Sequence, residues 1–190
     1  MMEPQLKPLA VAARAGGALS DVIWPEGSGS ILREAIEARA VVEGAIARLA
    51  AHRRTAADLA RLTHALEAMR SARCDRDAFN DGDLAFHAAL SRASHNRVLA
   101  RTMATLDGAV TRMIAFSSEA AFRGGRVDDL VDAHARLVDA VRRRDADAAA
   151  GIVSEMMNRL RDEAAVPSTP SARTLSMVGQ SARASKGDRS

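Results

Sequence analysis

The chain has few of the residues that brace a β-fold or a disulfide-stapled scaffold. It contains no tyrosine, one tryptophan and four phenylalanines, so aromatics make up 3% of its 190 residues. Apolar residues nevertheless reach 47%, supplied mostly by Ala, Val, Leu, Ile and Met. Ala and Leu favour helices, whereas strands draw on aromatic and β-branched side chains, so this composition points to a helical bundle. Cys74 is the single cysteine, which excludes an internal disulfide and fits a reducing cytoplasm. No apolar run reaches the roughly 18 residues a membrane-crossing helix needs. Near the N-terminus, Leu9 to Ala13 is too short an apolar stretch for a signal peptide and is flanked by Lys7 and Arg14. The expectation is a soluble, cytoplasmic protein with no membrane partner.

Charge of one sign is also scarce once it is located. The formal net charge is +3. Residues 166–190 alone carry +3, residues 1–30 carry −1, and the middle of the chain is left at +1. A nearly neutral body lacks the basic footprint that phosphate contacts require, so no direct DNA binding is expected of it.

Periodicity divides the chain into three. Residues 1–29 hold Pro4, Pro8, Pro25, Gly16, Gly17, Gly27 and Gly29 without a sustained period and read as a flexible arm, with Trp24 placed to tack its end onto the body. Residues 30–165 read as one helical domain, and the Ser/Pro/Arg/Gly-rich residues 166–190 as a disordered tail. Within the domain, the patterns predict helices over 31–52, 55–72, 76–93, 96–119, 126–143 and 146–164. Thr55 and Asp145 are natural N-caps. Short connections between long amphipathic helices imply antiparallel neighbours, hence an all-α up-and-down bundle of about six helices.

The stripe Phe79, Asp83, Phe86, His87, Leu90 sets a carboxylate and an imidazole one helical turn apart on a core-facing surface. A second inward stripe, Val127, Leu130, His134, Leu137, Val141, adds another imidazole. The other histidines fall elsewhere: His52 at a helix end, His64 off the Leu59–Leu62–Leu66–Met69 stripe, His95 in a turn. Polar groups inside apolar stripes are costly unless paired. Asp83, His87 and His134 are therefore either hydrogen-bonded core residues or an open site for Zn, Ni, Mn or Fe. The first helix adds Arg39 to its stripe of Leu32, Ile36, Val42, Ile46 and Leu49. Arg39 has two open readings: a structural pair with Glu43 one turn later, or a planar clamp for a ligand carboxylate.

At this point the residues carry a resemblance. Glu37-Ala-Arg39-Ala-Val-Val-Glu43 running on to Leu49-Ala-Ala51 and Thr55 resembles the opening helix of the C-terminal effector domain, FCD, of FadR-type GntR regulators. Asp83-Leu-Ala-Phe86-His87 with Ala93-Ser-His-Asn96, and Ala133-His134 with the run Ala140 to Ala149, resemble its later blocks in the right order. The resemblance covers about residues 31–160. It implies an antiparallel bundle of six or seven helices, usually dimeric, whose cavity binds a small carboxylate effector over a divalent metal such as Zn, Ni or Mn. By position, Asp83, His87 and His134 would be metal ligands and Arg39 the carboxylate clamp. The family's fourth ligand, a histidine, aligns with Met156, a poor partner for a hard or borderline ion. That leaves three protein ligands plus water or effector, or a cavity that works without metal.

Fewer than 30 residues precede the domain and show no helix-turn-helix pattern, so the expected function is that of an effector module without its own DNA-binding head. It would act as a homodimer, or through mixed dimers with full-length GntR-type regulators. A metal-dependent enzyme built on the Asp/His/His trio, and a degenerate dimerisation scaffold, are the alternatives. No further acid–base pair, nucleophile constellation or Gly-rich phosphate loop accompanies the trio, so an enzyme is not expected.

Overall fold

The computed structural model describes residues 29–165, and every regular element in that range is a helix. There are seven: α1 (Gly29–Arg53), α2 (Ala56–Ser71), α3 (Arg76–Ala93), α4 (Arg97–Thr105), α5 (Asp107–Gly124), α6 (Val127–Arg142) and α7 (Ala146–Ala165). The predicted arm over 1–28, Trp24 included, and the predicted tail over 166–190 lie outside the described residues. Among the described residues no helix is long and apolar enough to cross a membrane.

Four of the helices, α2, α3, α4 and α7, begin where the sequence offers a side-chain acceptor. At α2, Thr55 and Asp58 form a reciprocal capping box: the Asp58 amide donates to Thr55 Oγ1 at 3.2 Å and the Thr55 amide to Asp58 Oδ2 at 2.8 Å. Asp75 accepts from the Ala78 amide at 3.1 Å, Asn96 from those of Val98 and Leu99, and Asp145 from that of Ala148 at 3.0 Å. Gly125, at φ 65°, closes α5 in the left-handed conformation a side chain would resist.

The predicted single helix over 96–119 is two helices, α4 and α5, and α5 continues to Gly124. The break sits at Leu106, whose amide turns back to the Met103 carbonyl at 2.9 Å. Thr102 and Thr105 both return their hydroxyls to carbonyls of the preceding turn, Val98 at 3.1 Å and Thr102 at 2.7 Å. Such back-bonding competes with the helical ladder and bends it. The apolar period survives the bend, which is why the sequence alone reads straight through.

Packing follows the connections. The short links α2–α3 and α6–α7 make antiparallel pairs, while α1 lies mainly along α7 and also meets α3 and α6. Phe79, Phe86, Leu62, Met69, Ile46 and Leu137 are fully enclosed. α2 and α3 approach closely at Gly82, where a Cβ would stand 3.0 Å from Met69 Cγ. At one end of the bundle, Arg144 donates to the carbonyl of His52 at 2.6 Å while Arg54 donates to that of Arg142 at 2.5 Å. The C-termini of α1 and α6 thus cap one another with arginines, and these contacts hold Arg144 at its positive φ of 62°.

Asp58 does more than cap. Buried at the α1–α2 corner, it also accepts from Arg61 at 2.6 Å and meets His95 Nε2 at 2.8 Å. Burial would raise its pKa, but the Thr55, Arg61 and His95 hydrogen bonds outweigh that and hold it well below the usual carboxylate range. A depressed carboxylate stabilises the fold above its ordinary pKa, and that stabilisation is lost as the pH falls below it. Asp58→Ala is expected to destabilise by about 1–2 kcal/mol near neutrality. In urea titrations at descending pH the variant should lose less stability below about pH 4 than the parent does.

Candidate functional site

The polar residues that the sequence places on separate inward stripes meet at one point in the bundle. Asp83 and His87 come from consecutive turns of α3, His134 from the middle of α6, and Arg39 and Glu43 from consecutive turns of α1. All five are buried. One nitrogen of each imidazole and one Asp83 oxygen all lie within 4.8 Å of one another. His87 Nε2 is 3.0 Å and His134 Nε2 is 3.2 Å from the same atom, Asp83 Oδ1.

Two orienting contacts decide what these nitrogens present. The His134 Nδ1–H donates to the Leu130 carbonyl one turn back, at 2.8 Å. In the neutral ring, Nε2 therefore carries the lone pair, aimed at a carboxylate oxygen. Neither Asp83 Oδ1 nor His134 Nε2 makes a hydrogen bond of acceptable geometry. Two acceptors that face each other in the interior need a cation between them: a proton or a metal ion. Phe86 packs edge-on against His134, centroids 4.8 Å apart, and fixes the ring's plane.

His87 is held from its other side. Its Nδ1 meets Glu43 Oε1, while Arg39 reaches Nε2 through Nη2 at 2.7 Å and Glu43 Oε2 through Nε at 2.8 Å. Burial alone would raise the Glu43 pKa, but the Arg39 and His87 charges lower it to about 2. Asp83 likewise sits well below the carboxylate range: His134 and His87 outweigh the opposing effect of burial. Burial disfavours charge on His87, yet the Glu43 carboxylate raises its pKa on balance, with Arg39 opposing. Arg39 can donate to Nε2 only while that lone pair is bare. A proton, the Arg39 N–H and a metal ion therefore contend for one nitrogen. Arg39 and Glu43 cancel in charge, so Asp83 is balanced by a proton on an imidazole or by a metal ion in its place.

A small cavity, of about 40 Å³ and open at one side, adjoins the cluster. It is lined by Arg39, Asp83, His87 and His134 and, on the apolar side, by Met113, Ile114, Met156 and Met157 among others. The five residues singled out in the sequence, Met156 included, thus border one space. His52 and His64 are exposed and stand apart from it; His95 is bound to Asp58.

Sequence reasoning tied Glu43 to Arg39 alone and missed its contact with His87, 44 positions away. It also missed Met113, Ser117 and Met157, and it passed over Arg159, which shares the face of Met156 at i+3. That spacing was a usable signal.

Comparison with known proteins bears on the family of the chain. Residues 34–159 match the model of the FCD domain. The galactonate operon transcriptional repressor of Escherichia coli (strain K12) is 38% identical over 116 residues, covering 60% of this chain and 48% of that protein. The HTH-type transcriptional regulator LutR of Bacillus subtilis (strain 168) is 40% identical over 72 residues, covering 38% of this chain and 33% of that protein. The chain spans about half or less of the length of these relatives.

The three-cornered contact of Arg39, Glu43 and His87 gives a direct expectation. Glu43→Ala strands a buried guanidinium and should cost about 3–5 kcal/mol in urea unfolding. Arg39→Met combined with Glu43→Leu, which removes both charges, should recover a large part of that loss.

Proposed function

The chain belongs to the FCD domain family, the effector domain of GntR-family transcriptional regulators, and we propose that it senses a small carboxylate metabolite over a divalent metal ion. The observation that carries this reading is the pair of unpartnered interior atoms, Asp83 Oδ1 and His134 Nε2, pointing at each other beside a cavity. The donor set fits a divalent ion: two imidazoles and a carboxylate, with His134 oriented through Nδ1 by a backbone carbonyl and His87 by a carboxylate. Asp83, His87 and His134 would hold Zn²⁺, Ni²⁺ or Mn²⁺, and the ion would supply a Lewis-acidic centre for an effector's oxygens. Met156 stands on the wall of this space and contributes apolar surface there.

The remaining residues position the effector. An ion on His87 Nε2 would free Arg39 Nη2, so Arg39, still held through Nε by Glu43, could turn its two terminal nitrogens toward a carboxylate. Met113, Ile114, Met157 and Leu160 exclude water from the effector's carbon chain. Because the cluster joins α1, α3 and α6 while the cavity wall is α5 and α7, filling the space changes how these helices pack. A ligand that binds one packing better shifts the population toward it. The matched relatives are transcriptional regulators, which favours sensing over catalysis.

The decisive measurement is the melting temperature of chelator-stripped protein before and after addition of Zn²⁺, Ni²⁺ or Mn²⁺. At a hundred times its dissociation constant, an ion bound only to the folded state adds about 2.7 kcal/mol, which is read as a rise of several degrees. The rise should be absent in Asp83→Ala. No response to any of the three ions in the parent protein would overturn the metal centre.

A further inference from the structure

A second cation borders the same cavity, and among the described residues it has no ion-pair partner. Arg159 of α7 lines the space together with Ser117 of α5 while remaining exposed, which places it at the mouth. On a helix its ordinary partners would be the acids four residues to either side, Glu155 and Glu163. Both are engaged elsewhere: Glu155 with Arg136 at 2.8 Å and Glu163 with Arg126 at 3.1 Å. Asp162 shares an outer groove with Arg159, yet no ion pair joins them. Among the described residues Arg159 forms no ion pair or hydrogen bond. Ser117 keeps its hydroxyl uncommitted as well, whereas its neighbour Ser118 donates to the Ala115 carbonyl at 3.2 Å.

The inner arginine is the opposite case. Arg39 is neutralised by Glu43 and tied at two nitrogens before any ligand arrives. The space therefore has a polar inner end at Asp83, His87 and His134 and, at its outer end, a guanidinium without a direct ion pair among the described residues. A ligand with an acid at one end only would leave one of these unanswered.

We propose that the effector is a short dicarboxylate, one acid group seated on a divalent ion held by the inner cluster and the other gripped by Arg159, with the Ser117 hydroxyl donating to it. This rests on the sensing reading above and names its substrate class. A guanidinium offers a carboxylate two parallel N–H donors, a charge-assisted contact stronger than one between neutral groups. A methyl group in place of that second carboxylate gains nothing from Arg159. The resulting discrimination is about tenfold or more in affinity.

The test is calorimetric titration of the full chain, with and without added Zn²⁺, using matched acids. Malate and 2-hydroxybutyrate share a carbon skeleton and differ only in a terminal carboxylate or methyl. The pair 2-hydroxyglutarate and 2-hydroxyvalerate repeats the comparison one carbon longer. The diacid of at least one pair should bind about tenfold tighter or more. In Arg159→Gln, a surface change that leaves the fold intact, that preference should collapse while affinity for the monoacid is kept; Ser117→Ala should reduce it in part. Equal binding of both members of each pair, or a preference that persists in Arg159→Gln, overturns the assignment and leaves the sensing reading standing. If none of the four acids binds while Zn²⁺ still raises the melting temperature, hydroxy-acid sensing falls and the Arg159 assignment falls with it.

Discussion

Asp83 presents one carboxylate oxygen to two imidazole nitrogens inside an apolar core, and much of the bundle is arranged around that contact. A buried anion is tolerated only when something balances it. Here the balance comes from three helices at once, since the Asp83–His87 pair on α3 is completed by His134 on α6 and braced by Arg39 and Glu43 on α1. Whatever cation sits between Asp83 and His134 also fixes the distance between α3 and α6.

The surrounding fold serves that geometry in plain ways. Capping residues set where the helices start, and so the height at which each stripe meets its neighbours: Asp75 for α3, Asp145 for α7. Gly82 lets α2 press against α3 one residue before Asp83. Phe86 serves both imidazoles, stacking edge-on against His134 and, at 6.0 Å, against His87. The surface ion pairs scattered over the bundle, such as Arg136–Glu155, contribute little stability of their own.

Much of this was legible beforehand, for identifiable reasons. Three- and four-residue spacing survives in any amphipathic helix, so the inward faces of Asp83, His87, His134 and Arg39 could be read from the stripes, and all four are buried. The capping signals at Thr55 and Asp145 were equally local. The break at Leu106 was not legible, because the apolar pattern runs through it and only threonine back-bonding bends the chain there. The bond between Glu43 and His87 was invisible for a different reason. Spacing reports which residues share a helix face; it carries no information about which residue on another helix stands opposite.

The sequence by itself determined the helical class, the approximate helix bounds, the inward direction of the chemistry-bearing residues and the resemblance to FCD domains. Those follow from local periodicity, capping and residue order. The tertiary structure alone decided which of these residues meet and in what state. It made Arg39 a committed neighbour of His87, left His134 Nε2 and Asp83 Oδ1 facing without a hydrogen bond, and put Arg159 at the mouth of the cavity without a partner among the described residues. Those outcomes depend on how α1, α3, α6 and α7 are registered against one another. That register is set by the packing of side chains distant in sequence, and no single helix encodes it.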